Sequence, residues 1–246
     1  MTARAEFFGR IRVEMAKTRG LFPATPAERP AHAPTIADSI TRELAERWPQ
    51  TLERFQREFE RVGGVFHRVV ALGDVPALVG RLARERAARR VVAWHPSALG
   101  ADLTPALGGE GLDAESMPAA GLGDERARAE LRARIAAADI GLTGVDLAVA
   151  ETGTLVLVSG SGKPRSTSLL PPTHVAVFDR TRLVESLLQV GVFLEAWHTG
   201  APPAARGGVI NFITGPSRTA DIELTLTRGV HGPKEVHAVF VEMPLP

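Results

Sequence analysis

Cysteine is absent from the 246 residues. The chain therefore has no disulfide and no thiolate for an iron–sulfur cluster or a Cys-type zinc site. Long apolar runs are missing too. The longest are strand-sized, well short of the roughly 20 residues that span a bilayer, so no membrane insertion is expected. A surplus of one charge sign is lacking: 29 basic residues stand against 28 acidic ones. Such a balance gives no whole-molecule field to draw in nucleic acid. The first 20 residues carry acids and no apolar core of signal-peptide length, so a cytoplasmic location is expected. There is no repeat at a 20–50-residue period. What remains is an ordinary soluble composition, 44% hydrophobic and 23% charged, fitting one α/β domain or somewhat more.

Periodicity divides the chain. Phe7, Phe8, Ile11 and Met15 recur at helical spacing. The stretch from Phe22 to Pro34 has prolines at 23, 26, 30 and 34 and reads as a linker or arm. Ile36, Ile40, Leu44 and Trp48 lie four apart on a helix face, Pro49 is expected to interrupt that helix, and Leu52, Phe55 and Phe59 mark a second one. Whether this helical stretch joins the core or forms an attached layer stays open. Domains are expected at 1–62, an N-terminal helical arm and linker, and 63–246, an α/β domain.

An alternation follows: strand VFHRVVAL, a helix with Asp74 near its cap, then strand VVAWH. The Arg-rich run from Arg81 to Arg90 has interleaved Leu and Ala and no aromatic platform, so it reads as a solvated helix face. LTPALGGEGLDAESMP is read as loop. DERARAELRARIAAAD is a helix with acids in its first turn and arginines later, as the macrodipole favours. VDLAVA and TLVLVS flank ETG as a hairpin, and HVAVF, VINFIT and VHAVFVE are further strands, with a helix over TRLVESLLQVGVFLEA. The expected fold is an α/β three-layer sandwich, mainly parallel with an antiparallel hairpin.

Several segments could carry chemistry. FITGPSRTADIE runs from a strand through Gly215, Ser217, Arg218 and Thr219 to Asp221 and Glu223. A helix starting there would offer capped N–H groups to an anion, and Arg218 adds a planar fork for carboxylate or phosphate. Two other outcomes stay open: Arg218 pairs with Asp221 or Glu223, or the alternating Ile222, Leu224 and Leu226 form a strand. His231 lies between two glycines on a loop, whereas His237 falls in the final strand. No metal-ligand spacing links these groups. Glu151, in AETGT, follows an apolar strand and could act as base or nucleophile, or serve its own turn. SGSGKPRS fails the phosphate-loop pattern, with Leu157 in place of the first Gly and Pro164 after the Lys. It could still be a flap whose Lys163 and Arg165 meet an acidic ligand. No GxGxxG follows an early strand, and no GxSxG elbow is present.

Four blocks in order, AETGTLVL, SLLPPTHVAVF, ITGPSRTADIE and GVHGPKEVH, resemble the LUD-domain family, in its LutC branch of lactate utilization proteins. The resemblance covers the second half of the chain. It implies a Rossmann-like fold similar to that of ribose-5-phosphate isomerase and CoA transferases. It also implies an accessory subunit in a three-protein bacterial system oxidising L-lactate to pyruvate, whose two partners carry iron–sulfur modules. No cluster is expected on this chain, and its cofactor is unknown. Within the resemblance, Arg218, Asp221 and Glu223 belong to the family's signature block, and Glu151 is similar in kind to the glutamate that CoA transferases use as acyl acceptor. The expected function is binding of a small carboxylate or phosphate, or of the iron–sulfur subunits. The alternatives are an independent CoA-transferase- or isomerase-like enzyme using Glu151, and a non-catalytic scaffold.

Overall fold

The computed structural model describes residues 3–17, 32–120, 123–199, 208–220 and 226–246. Helix α1 (Ala3–Lys17) precedes α2 (Ala33–Arg61), β1 (Val65–Val69), α3 (Val75–Glu85), β2 (Arg90–Ala93), α4 (Pro96–Leu99), α5 (Thr104–Gly109) and β3 (Asp113–Ser116). There follow α6 (Glu125–Ala136), β4 (Ile140–Gly144), β5 (Leu147–Val149), β6 (Thr154–Val158), α7 (Ser166–Leu169), β7 (Thr173–Asp179) and β8 (Leu183–Val184). Helix α8 (Leu187–His198) and strands β9 (Ile210–Ile213), β10 (Arg218–Ala220), β11 (Leu226–Arg228) and β12 (Glu235–Val241) complete the order.

Six strands form a parallel sheet in the order β1-β12-β7-β4-β2-β3. The inner strands β4 and β7 are buried at every residue, as helices on both faces require. Register assigns the faces, since alternate side chains point opposite ways. Phe66, Phe178 and Phe240 share one face and meet Phe55 and Trp48 of α2. Val92 on that face packs with Leu131 and Ile135 of α6. His67 and His237 lie on the opposite face, where Arg86, just after α3, reaches Glu235. The three-layer α/β sandwich is thus present.

A second sheet, β8-β5-β6-β9, contains the ETG hairpin, with Val149 opposite Thr154. Its other face packs under α8 through Leu147, Val149, Val156 and Val190.

The interruption expected at Pro49 is present as a kink: Arg47 has φ −120°, ψ 19°, and two helical halves meet there within α2. The proline ring crowds the preceding turn and removes one N–H, which bends the helix at that point. Three other readings need correction. The segment read as loop after residue 102 holds α5 and the edge strand β3. The strand β4, IGLTG, was hidden by its glycines. The helix expected over 181–196 starts only at Leu187, where Ser186 caps Gln189 N–H; a 3-10 turn and β8 precede it.

Helix α2 packs into two hydrophobic clusters. Its Leu52, Phe55 and Phe59 lie in the main core, while Leu44 lies in the cluster under α8. Among the described residues no helix is long and apolar enough to cross a membrane.

Candidate functional site

The two polar corners singled out in the sequence meet at one rim of the second sheet. Antiparallel pairing of β6 with β9 sets Leu155 opposite Ile213, so the residues before β6 and after β9 are neighbours. Thr152 and Thr154 hydroxyls lie 2.7 Å apart, and Thr154 and Thr214 hydroxyls 2.8 Å apart. Three O–H groups share two contacts, which leaves hydrogen-bonding capacity at the ends of the ladder. Glycines bring the corners against the last turn of α2. A side chain at Gly153 would strike the Phe59 backbone, and one at Gly215 would strike the Val62 carbonyl; both glycines have positive φ, +61° and +78°.

Beside the ladder runs a cleft of about 570 Å³, lined by Thr152, Thr154 and Thr214 and by Leu187, Leu194 and Phe212. Its size suits a small organic molecule, with apolar walls and a few polar groups to orient it. None of the lining residues was singled out in the sequence. The signal was present in ETGT and FITG, but threonine next to glycine reads first as turn chemistry.

Glu151 stands at the same rim. Its carboxylate accepts the Leu187 N–H at 3.1 Å, in the first turn of α8. A carboxylate there is favoured by the helix dipole. Its own N–H donates to the Glu185 carbonyl at 3.0 Å.

The loop after β9 departs from expectation. No helix begins at Ser217: Arg218–Ala220 is strand β10, paired antiparallel with β11, Arg218 opposite Arg228. The helix-terminus route to anion binding is therefore lost. Of the alternating residues, Ile222 and Leu224 lie outside the described residues, and Leu226 opens β11. Nor does the loop follow a strand of the parallel sheet. Gly229 likewise follows a strand, not a helix. Ser217 stitches two loops together: its N–H donates to the Pro233 carbonyl at 2.9 Å, its carbonyl accepts Gly229 N–H at 3.0 Å, and its Oγ accepts His231 N–H at 3.3 Å. Arg218 is exposed and makes no ion pair among the described residues. His231 is exposed beside it in the stitched loops, and Thr219 pairs with Thr227. Asp221 and Glu223 lie outside the described residues.

Arg165 is separated from this rim. It precedes α7, after the far end of β6, and is exposed. Glu151 thus sits by the start of α8, Gly215 packs at the end of α2, and Ser217 and His231 belong to the stitched loops beyond β9, while Arg165 lies elsewhere.

Comparison with known proteins follows the same blocks. The LUD domain model matches residues 52–241. Lactate utilization protein C of Halalkalibacterium halodurans is 47% identical over 106 residues, covering 43% of this chain and 45% of that protein. The protein of the same name from Shouchella clausii is 35% identical over 161 residues, 63% of each chain. The matched stretch thus spans less than two thirds of either relative's length. The crystal structure of a DUF162 family protein from Deinococcus radiodurans superposes with a TM-score of 0.51 at 20% identity, over 79% of this chain and 98% of that one, which establishes likeness of fold. The chain belongs to the LUD-domain family, in the branch whose curated members are named lactate utilization protein C.

Proposed function

We propose that the protein is an accessory component of L-lactate utilization that holds a small hydroxy- or keto-carboxylate in the rim cleft and works beside iron–sulfur partner subunits. The pathway part rests on the names of the relatives. The ligand part rests on one observation: two family blocks about sixty residues apart share a threonine ladder on the wall of a cleft. Lactate and pyruvate each present a short apolar carbon chain with clustered oxygens. Leu187, Leu194 and Phe212 suit the first, and the Thr152–Thr154–Thr214 hydroxyls suit the second. Arg218, unpaired among the described residues, supplies positive charge on the loop that follows.

This reading leaves Glu151 as a rim residue. Held by the α8 backbone, its carboxylate is occupied in the resting protein, which gives an acyl-acceptor role no specific support. Calorimetric titration with L-lactate and with pyruvate tests the ligand reading. Wild type is expected to bind one of them, and Thr214→Val to weaken it about tenfold, the ~1.5 kcal/mol of one hydrogen bond. Absence of heat from both ligands, or an unchanged affinity in Thr214→Val, would remove the ligand from the proposal.

A further inference from the structure

We infer that a second cleft, at the carboxyl ends of β7, β4 and β2, binds a planar organic oxyanion between Arg182, Lys163 and the indole of Trp197. The sheet order places these three strands side by side. The chain steps from β2 outward to β3, then returns through β4 toward β7 and β12. Ligands of open parallel sheets gather where the direction reverses, beyond the strand ends. Residues just past those ends converge here: Trp94 after β2, Asp146 after β4 and Arg182 after β7.

The SGSGK segment forms the lid of this crevice. Gly160 and Lys163 exchange backbone hydrogen bonds of 3.1 and 3.0 Å. The loop is pinned from below, where His95 N–H donates to the Gly162 carbonyl at 2.9 Å and Trp94 Nε1–H to the Pro164 carbonyl at 3.3 Å. A side chain at Gly162, φ +71°, would collide with the His95 Cβ. The lid is thus a fixed wall that carries Lys163 inward.

Lys163 Nζ lies 2.7 and 3.0 Å from the two Asp146 oxygens and 5.0 Å above the Trp94 ring. Both partners of the ion pair are largely buried, 23% and 20% exposed. Val158 N–H also donates to Asp146, at 2.7 Å. Asp146 therefore orients the ammonium group. Next to it opens a cleft of about 350 Å³ lined by Asp146, Ser159, Ser161, Lys163, Arg182 and Trp197.

Charge decides the ligand class. Two cations face one carboxylate, so the cleft keeps one positive charge in excess. Arg182 makes no ion pair among the described residues, and its planar fork fits a carboxylate or a phosphoryl group. Ser159 and Ser161 add hydroxyls, and Trp197 offers a ring face on which a planar body stacks. The occupant is an aromatic or otherwise planar monoester or acid.

Benzoate and phenyl phosphate are the probes, titrated by calorimetry into wild type, Arg182→Ala and Thr214→Val, with folding checked by circular dichroism. The expected result is binding of at least one probe to wild type, weakened tenfold or more in Arg182→Ala and unchanged in Thr214→Val. Whichever probe binds tighter identifies the head group. Failure of both to bind wild type, or equal affinity in Arg182→Ala, overturns the inference. Sensitivity to Thr214→Val instead places the probe in the rim cleft and overturns it equally.

Discussion

Gly141 shows how one residue sets what its neighbourhood can hold. It is buried in β4, and a Cβ there would collide with the Thr167 backbone carbonyl of α7 and touch Pro171. Backbone cannot step aside as a flexible side chain can, so Gly141→Ala forces α7 away from the sheet. Overpacking of this kind costs at least about 2 kcal/mol, equivalent to roughly 4–8 °C in Tm for a chain of this size. Gly108→Ala is the control. It meets nothing within 4 Å in α5 and is expected to leave Tm unchanged or raise it slightly. Thermal melts of both variants check this; equal melting temperatures would refute it. The same glycine explains a failure of sequence reading. IGLTG lacks the β-branched density that marks VDLAVA or HVAVF, because Gly141 and Gly144 admit the carbonyls of Thr167 and Ala98. A pattern reader sees apolar side chains and cannot see the backbone that takes their place. Threonines 152, 154 and 214 escaped notice for a related reason: their ladder depends on the β6–β9 pairing, which no local window contains.

At the scale of elements, strands β1, β7 and β12 carry a set of histidines that ties the sheet to acidity. His237 Nε2–H donates to Glu235 at 3.1 Å, which leaves its Nδ1 to accept from His67 Nε2–H at 2.9 Å. Arg86 closes the chain onto Glu235 at 2.6 Å. Burial, then the nearby His237, Arg81 and Arg86, pushes His67 from its ordinary 6.5 down to about 4, against a smaller opposing pull from Glu85. Burial likewise lowers His237, though Glu235 resists. His174, on the other face of β7, is driven to about 3 by complete burial and then by His237. Its Nε2 meets Thr143 Oγ1 at 2.9 Å, while its Nδ1 finds no partner among the described residues. All three titrate lower in the folded chain than in the unfolded one. The unfolded state therefore binds the extra protons, and stability is full above about pH 6.5 and falls as pH drops toward 4. Urea midpoints at pH 7 and pH 5 are expected to differ, with the lower value at pH 5, and His67→Gln is expected to shrink the gap. Equal midpoints in the wild type would show that these rings titrate normally. Here the sequence was partly legible. The final strand and its His237 were evident from alternation, whereas the partnership with His67, 170 residues away, follows only from β1 lying beside β12.

For the molecule as a whole, α2 is expected to set where the folding unit begins. A boundary at residue 62 was natural from sequence, since proline-rich and helical segments precede the first strand. Yet Leu52, Phe55 and Phe59 pack into the core of the parallel sheet, and Leu44 into that of the second sheet. One helix thus serves two cores, and its kink at Arg47 lets its halves address different surfaces. At about 1.5–3 kcal/mol for each buried Leu or Phe, these four side chains contribute roughly 6–12 kcal/mol, as much as the ~5–15 kcal/mol net stability of a typical domain. Helix α1 contrasts with it, since Phe7, Phe8, Ile11 and Val13 are exposed. Two truncations separate these roles. Removal of residues 1–31 is expected to leave a cooperative thermal transition within about 2–4 °C of the full chain, the shift of ~1 kcal/mol in a protein this large. Removal of residues 1–62 is expected to abolish the transition, because loss of Phe55, which contacts Phe66 and Phe178, and of Phe59 stacked on it leaves an open apolar sheet face. A cooperative transition in the shorter fragment would make α2 a dispensable layer and would place the folding unit at residue 63. Loss of the transition on removing residues 1–31 would instead assign the N-terminal segment a part in the core.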